Sequence, residues 1–521
     1  MGQDMQSMGM TTSDSLSIVE IVIISICVVV FMLSLTYLIM SHLGKKTLKE
    51  TFYGTKPTAI YAIVNVLGIL FLVLAIVLGS NIFLLGNSSS SNNMEVLETT
   101  TVSSSGDSID ASAVLEVTDT QTLDNQDLTS TNEDENVVLV TDGGNLTLTD
   151  SIITKESGDT SDTESSEFYG LNAAILVQEG STLSISDTDI STSAQEANGI
   201  FATGEDASIT VTNVTITTTE DSSRGLDATY GGTITADNVE ISTSGSHCAA
   251  VATDRGEGTI TLTNSVLNTA GKGSPSIYST GNITVSDSTG TASDASCAVI
   301  EGKNSITINN TTLYAQGVGR TDDGIDNCGV MIYQSQSGDA DEGTGTFTAT
   351  DSTLTILEDS TVYDTTPMFF ITNTDAIINL EKTTLNYGSG KLIVVSGNDG
   401  EWGSVGSNCG NLTFNATNQT LTGDISVDEY STLSLVLKSS TLTGTVNSDN
   451  GASQLDISLD SSSKWIVTGN SYITSLTLED EDDLSCIDDN GYTIYYDSDA
   501  CTWLNEQTIT LQDGVTLTPI S

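Results

Sequence analysis

Basic residues are what this 521-residue chain lacks most: 14 Lys and Arg stand against 69 Asp and Glu, a formal net charge of −55. A nucleic-acid partner needs a basic surface to displace condensed counterions, so that class of function is excluded. Histidine is almost absent too. His42 and His247 are the only two, which leaves no material for a histidine-based triad or a multi-histidine zinc site. The hydrophobic fraction of 37% is low, yet compatible with folding if the apolar residues recur with a period. They do, and the length exceeds that of one ordinary compact domain.

Two stretches, 21–40 and 58–80, carry no charge over 20 and 23 residues, each long enough to cross a bilayer as a helix. They predict a transmembrane hairpin anchor over residues 1–86, with helices at about 18–40 and 58–86. The loop 41–57 holds Lys45, Lys46, Lys49 and Lys56 against the single acid Glu50, while residues 1–20 have no Lys or Arg. Positive charge favours the cytoplasmic side, so the expected topology is N-terminus out, loop in, C-terminal part extracellular at the cell membrane. A cleaved signal peptide would want a basic leading segment, and Asp4 and Asp14 stand there instead. Beyond residue 86 there are 65 acids and 10 bases, so the exported part is a polyanion. Residues 87–136, opening with a Ser, Thr and Asn-rich run, are expected to form a spacer.

From 137 to 478 the chain repeats. A column of apolar residues runs Leu146, Leu183, Ile209, Ile234, Ile260, Ile283, Ile306, Phe347 and Ile378. Seven residues after each stands a second, from Ile153 to Leu385, with Gly290 the one gap. Four residues into each unit comes Asp150, Asp187, Asn213, Asn238, Asn264, Asp287, Asn310 or Asp351, with Lys382 the exception. A third column pairs a small with a branched residue, from Ala174-Ile175 through Ala298-Val299 to Gly329-Val330. Each unit reads as two short strands joined at a sharp Asx bend; it cannot bury its own Ile and Val, and stacking the next unit completes both core and hydrogen bonding. The predicted fold is an all-β parallel solenoid. Asn and Asp suit the bend because a short polar side chain tolerates left-handed backbone and can bond to its neighbours in a ladder. Residues 479–521 break the period and are expected to cap the solenoid.

These rungs, the seven-residue offset and the tail NGYTIYYDSDACTWLNEQTITLQDGVTLTPIS resemble the adhesin-like surface proteins of bacteria with a right-handed parallel β-helix of the pectin-lyase type. The resemblance covers roughly residues 140–521 and implies a cell-surface, adhesive or display role without catalysis. The LPxTG motif of related proteins is missing near the end, which leaves attachment to the N-terminal hairpin. Expected partners are the membrane, host or matrix glycans or surface proteins, and divalent cations, with no nucleic acid and no cofactor.

The competing reading is a carbohydrate-active enzyme on the same fold. A polysaccharide lyase needs a basic residue to take a proton, and the candidates are Arg224, Arg255, and Arg320 beside Asp322, Asp323 and Asp326. A hydrolase needs two carboxylates about 5 to 10 Å apart, and acids are too abundant here for the sequence to select a pair. No catalytic residue is assigned and metal ligation stays open. The run EDEDD at 479–483 lacks the spaced ligands and glycine of a calcium loop and reads as a solvated edge guard. Cys297 with Cys328 and Cys486 with Cys501 are candidate disulfides, buried thiols being the alternative; Cys248 and Cys409 have no obvious partner, and Cys27 lies in the first hydrophobic stretch. Outward Thr at 210, 235, 261, 284, 307 and 348 align as an array such as orders water on ice, though β-propensity explains the same residues. Nine Asn-x-Ser/Thr sequons, among them Asn145, Asn282 and Asn411, are weak evidence of glycosylation in so Thr-rich a chain.

Overall fold

The computed structural model describes residues 109–520 except 320–325, 336, 398–407, 482, 489 and 512–515. The expected hairpin, with His42 and Cys27, and the first part of the spacer lie outside the described residues. Among the described residues no helix is long and apolar enough to cross a membrane.

The described chain is all-β, with long parallel sheets formed by successive coils of a solenoid. The unit SITVTNVTITT at Ser208–Thr218 shows why. Ile209 and Val211 point inward before the bend, Val214 and Ile216 after it, so the inward set changes from odd to even positions. Asn213 makes that change possible, because its left-handed φ of 55° carries the chain round the corner in a single residue. In a straight strand an offset of seven would put two residues on opposite faces; here the bend makes both face inward. Asp150, Asp187, Asn238, Asn264, Asp287, Asn310, Asp351 and Lys382 all share positive φ, and Asn125, Asn418 and Ser439 extend the row at both ends. The ladder is bonded along parts of its length: Asn238 Nδ2 donates to Asn213 Oδ1 at 2.8 Å, and Asn213 Nδ2 to Asp187 Oδ1 at 3.1 Å.

The coils stack in register. Leu183, Ile209, Ile234, Ile260, Ile283, Ile306, Phe347 and Ile378 are successive strand partners, all buried in one continuous core. Full burial of such a side chain contributes about 1.5–3 kcal/mol, and coil after coil repeats it. Gly290, the gap in the second column, faces Ser276 and Leu313, whose side chains would lie 2.9 and 2.6 Å from an added Cβ; neighbours have filled its space. A twelve-stranded sheet runs along the solenoid from Ser112–Val117 to Asp424–Val427 and is called the straight sheet below. At about 4.8 Å per strand it makes a rod roughly 50–60 Å long. The bent sheet, carrying the Asx corner, wraps the remaining sides.

Three expectations need correction. First, the solenoid starts before residue 137. Ser112–Val117, Thr120–Asp124 and Asp127–Ser130 form a coil paired in parallel with Glu135–Val140, Asn145–Thr149 and Ile152–Lys155, so the later part of the expected spacer is structured. Its apolar signal is thin because Leu115, Leu123 and Leu128, in the end coil, are only half-buried among Asp, Gln and Thr. Second, the third column slips by one. Ile277 pairs with Ala298, and Ala298 with Val330, which leaves Val299 facing outward. A one-residue slip exchanges the two faces of a strand. Third, the slip separates the expected Cys297–Cys328 pair: Cys297 joins the interior core, Cys328 joins an outer cluster with Met331, Tyr333 and Phe370, and both are free thiols. Cys486 and Cys501 are free as well, as are Cys248 and Cys409.

The tail departs from the repeat. Ile494–Asp497 still pairs in parallel with Ser471–Ile473, but Ile509–Thr510 runs antiparallel to Thr516–Ile520.

Candidate functional site

The expected pattern contained no helix, yet one turns up between two coils. Thr163–Tyr169, here α1, starts at Asp162, whose side chain accepts from Ser165 N, and stops at Gly170 in the left-handed conformation. Gly170 is required on a second count: a Cβ there would come 2.7 Å from both Leu176 and Phe201. α1 lies over the outer face of the straight sheet, with Phe168 buried and its carbonyl accepting from Thr229 Oγ1 at 2.8 Å.

Two of the three candidate bases converge here. Arg224 Nε is 2.9 Å from Asp254 and 3.6 Å from Asp227, and its Nη1 is 3.8 Å from Glu167 of α1. Arg255 pairs with Glu164 of α1 at 3.0 Å and with Asp339 at 2.8 Å, and its guanidinium sits 3.7 Å over the Phe168 ring. Tyr169 stacks on Tyr230 at 5.0 Å. Two acidic residues of a short helix are thus held by two arginines of consecutive coils. A third ion pair joins Lys303 to Glu257 and Asp341 at 2.6 and 3.0 Å. Glu301, buried, accepts from the hydroxyls of Tyr278 and Tyr333 at 2.7 and 2.9 Å and from Ser335, which fastens the segment leading to Asp339.

The electrostatics describe a closed clamp. Burial works against the charge of Arg224, but the Asp254, Asp227 and Glu167 carboxylates outweigh it and hold its pKa above the ordinary range. Burial and the adjacent Asp254 carboxylate push Asp227 well up, only partly opposed by Arg224. Burial likewise raises Asp254 against the pull of Arg224. Neither oxygen of Asp227 accepts a hydrogen bond from the described groups. The side chains of Arg224, Asp227 and Asp254 are 11%, 0% and 6% exposed, so a sugar cannot touch them while α1 is in place. Two carboxylates with raised pKa beside an arginine are the groups of an acid-base set, and here they are buried beneath a helix.

Arg320, Asp322 and Asp323 lie outside the described residues, leaving Asp326 alone of that cluster. His247 occupies a left-handed turn at φ 58°, with its amide donating to Lys272 O. In the 479–483 run, Asp482 lies outside the described residues, Glu479 accepts from Ser461 N at 2.8 Å, and Asp483 caps a short turn through Ser485 N at 2.9 Å. Those hydrogen bonds hold both carboxyls below their ordinary values. Among the described residues no group of three or more His, Cys, Asp or Glu is arranged to hold a metal ion. Lys155 was not singled out from sequence. It is fully buried where the next four coils carry Thr, donating to the Glu135 carbonyl at 2.9 Å and to that of Asn132, and burial pushes its ammonium down to about 8.

The outward Thr column is continuous. Thr147, Ser184, Thr210, Thr235, Thr261, Thr284, Thr307 and Thr348 are partners in consecutive strands of the bent sheet, half-buried or exposed on its outer face. No protein-family model matches this chain, and no curated protein matches it.

Proposed function

We propose that the chain is a membrane-anchored, strongly acidic cell-surface protein whose β-solenoid serves as an adhesin or display rod, binding through its side faces without turnover. In this reading the solenoid is the right-handed, pectin-lyase-type β-helix of the bacterial adhesin-like proteins it resembles, held by the hairpin at 1–86 with loop 41–57 inside and the rod outside. One observation carries it. Both described arginines are consumed in ion pairs around α1, and the acids beside Arg224 are sealed from solvent, so what the rod offers to partners is flat, polar strand faces. A lyase or hydrolase needs its acid and base within hydrogen-bond reach of substrate.

The test is removal of the rod. Cells producing a chain truncated after residue 108 are expected to lose attachment to host or glycan-coated surfaces, and unchanged attachment would sink the adhesive reading. In parallel, the full-length chain is incubated with acidic and neutral polysaccharides. Sugar release abolished by Asp254→Asn would replace the reading with an enzymatic one.

A further inference from the structure

The outer face of the bent sheet differs in kind from the rest of this polyanion. Its three outward columns place twenty-four positions on the eight coils from Asn145–Thr149 to Thr346–Thr350. Twenty are Thr or Ser, three are Asn145, Asn282 and Asn309, and only Asp237 is charged. The chain beyond residue 86 carries 65 acids, and strand surfaces turned to water are where they belong; here they are nearly excluded. Asp237 itself is tied down, accepting from Asn264 Nδ2 at 2.6 Å and Thr263 Oγ1 at 2.7 Å.

The face runs on into a shallow groove of about 390 Å³ in the next coils, floored by Ile377, Thr413 and Ser434 and edged by Asn411, Gln454 and two acids, Asp375 and Asp456. Asp375 accepts from Asn411 Nδ2 at 2.8 Å and Asp456 from Ser475 Oγ at 2.6 Å, so both carboxylates keep their charge at the groove's edge, and Ile377 puts an apolar side chain on an outward position. Hydroxyls and amides at a regular pitch, each able to donate or accept, suit a ligand built of repeated hydroxyls, and the isolated Ile suits an apolar ring face. The surrounding acids repel anionic polymers, so charge complementarity selects an uncharged one.

We infer that this face, Thr ladder and groove together, binds a neutral polysaccharide laid across the coils, with each contact weak and the length of the array giving avidity. The inference rests on the adhesive reading and names the ligand class of that surface.

The experiment uses the full-length chain in nanodiscs on immobilised β-glucan, mannan and chitin oligosaccharides, with polygalacturonate and heparan sulfate as anionic probes. Retention on at least one neutral glycan and on neither anionic probe is expected. The triple variant Thr235→Glu, Thr261→Glu, Thr284→Glu should weaken retention at least tenfold. The single variant Thr413→Glu in the groove serves where the triple does not fold, with a several-fold loss expected. Thr215→Glu with Thr289→Glu, outward beyond the Asx bend, should leave retention unchanged. Retention only on anionic probes, on no glycan, or on polycrystalline ice alone would overturn the inference, as would Glu variants that bind like the parent. If cell attachment still depends on the rod while neutral glycans are not retained, the adhesive reading stands and this assignment falls. If attachment ignores the rod, the adhesive reading falls on its own.

Discussion

The two outer faces of the rod are built on one core and behave as opposites. Over the straight sheet, outward positions such as Phe201 and Asp227 are covered by α1 and turns, and the charges that hold the cover meet in pairs. Over the bent sheet the outward positions of Thr210, Thr235 and Thr261 stay open and uncharged. Inward positions on both are mostly Ile, Leu and Val, with Ala and Phe among them. A solenoid therefore fixes its fold from inside and leaves the outward columns free to become either an internal joint or a contact surface.

The sharpest way to break the contrast is to remove the cation of the covered face. Arg224→Ala leaves Asp227, Asp254 and Glu167 without their counterion and is expected to cost about 3–5 kcal/mol in chemical denaturation. Cleavage by protease within 163–169 should appear before global unfolding. Loss of stability with α1 still protected would show that the helix is held by packing alone.

Acidity probes the same joint more gently. The folded-state pKa of Asp227 lies above that of an unfolded aspartate, so the folded protein binds more protons between the two values. The contribution is full below the unfolded pKa of about 4 and fades as pH rises through the folded value. The parent should thus lose stability on going from acid toward the folded pKa, and Asp227→Asn should flatten that slope in melts recorded across pH. An equal slope in both proteins would remove Asp227 from the account.

Next comes the corner that joins the two strands of the bent sheet. Asn238→Ala forces a residue with a Cβ and no bonding group into φ 54°, at a cost of about 1–2 kcal/mol, and Asn238→Gly should cost less. Equal losses for Ala and Gly, measured by urea denaturation, would mean that the side-chain ladder matters and the left-handed backbone does not.

On the open face Thr261→Ala should move stability by no more than about 0.5 kcal/mol, since a surface hydroxyl carries little of the fold. A larger loss would mean that the Thr column supports the sheet, and the contrast between the faces would narrow.

Most of the interior was legible in the sequence because one spacing holds along nearly all of the solenoid: the seven residues between Ile209 and Ile216, usually with an Asx between them, recur coil after coil until Ile457 and Trp465, which stand eight apart. The Thr column follows from the same alignment. The third column is one residue out at Ala298, because spacing between coils varies in the turns and Ala298-Val299 fits the small-branched pattern, whereas the residue that occupies the inward position, Ala298, is itself small. The candidate Cys297–Cys328 bridge rested on that alignment, and the alternative of buried thiols is the one the structure has. Arg224 and Arg255 stood out through scarcity, but their partners did not, since Glu167 and Glu164 lie 57 and 91 residues away by chain in a helix with no repeat behind it.

The sequence alone determined that the chain stacks, where it bends and which side chains form the spine, because burial of a periodic apolar set and the left-handed preference of Asn and Asp are local rules that act identically in every coil. Only the tertiary structure decided which outward column is covered and which is bare. That choice depends on where an irregular turn folds back, and on two arginines meeting four carboxylates across coils, which no period encodes.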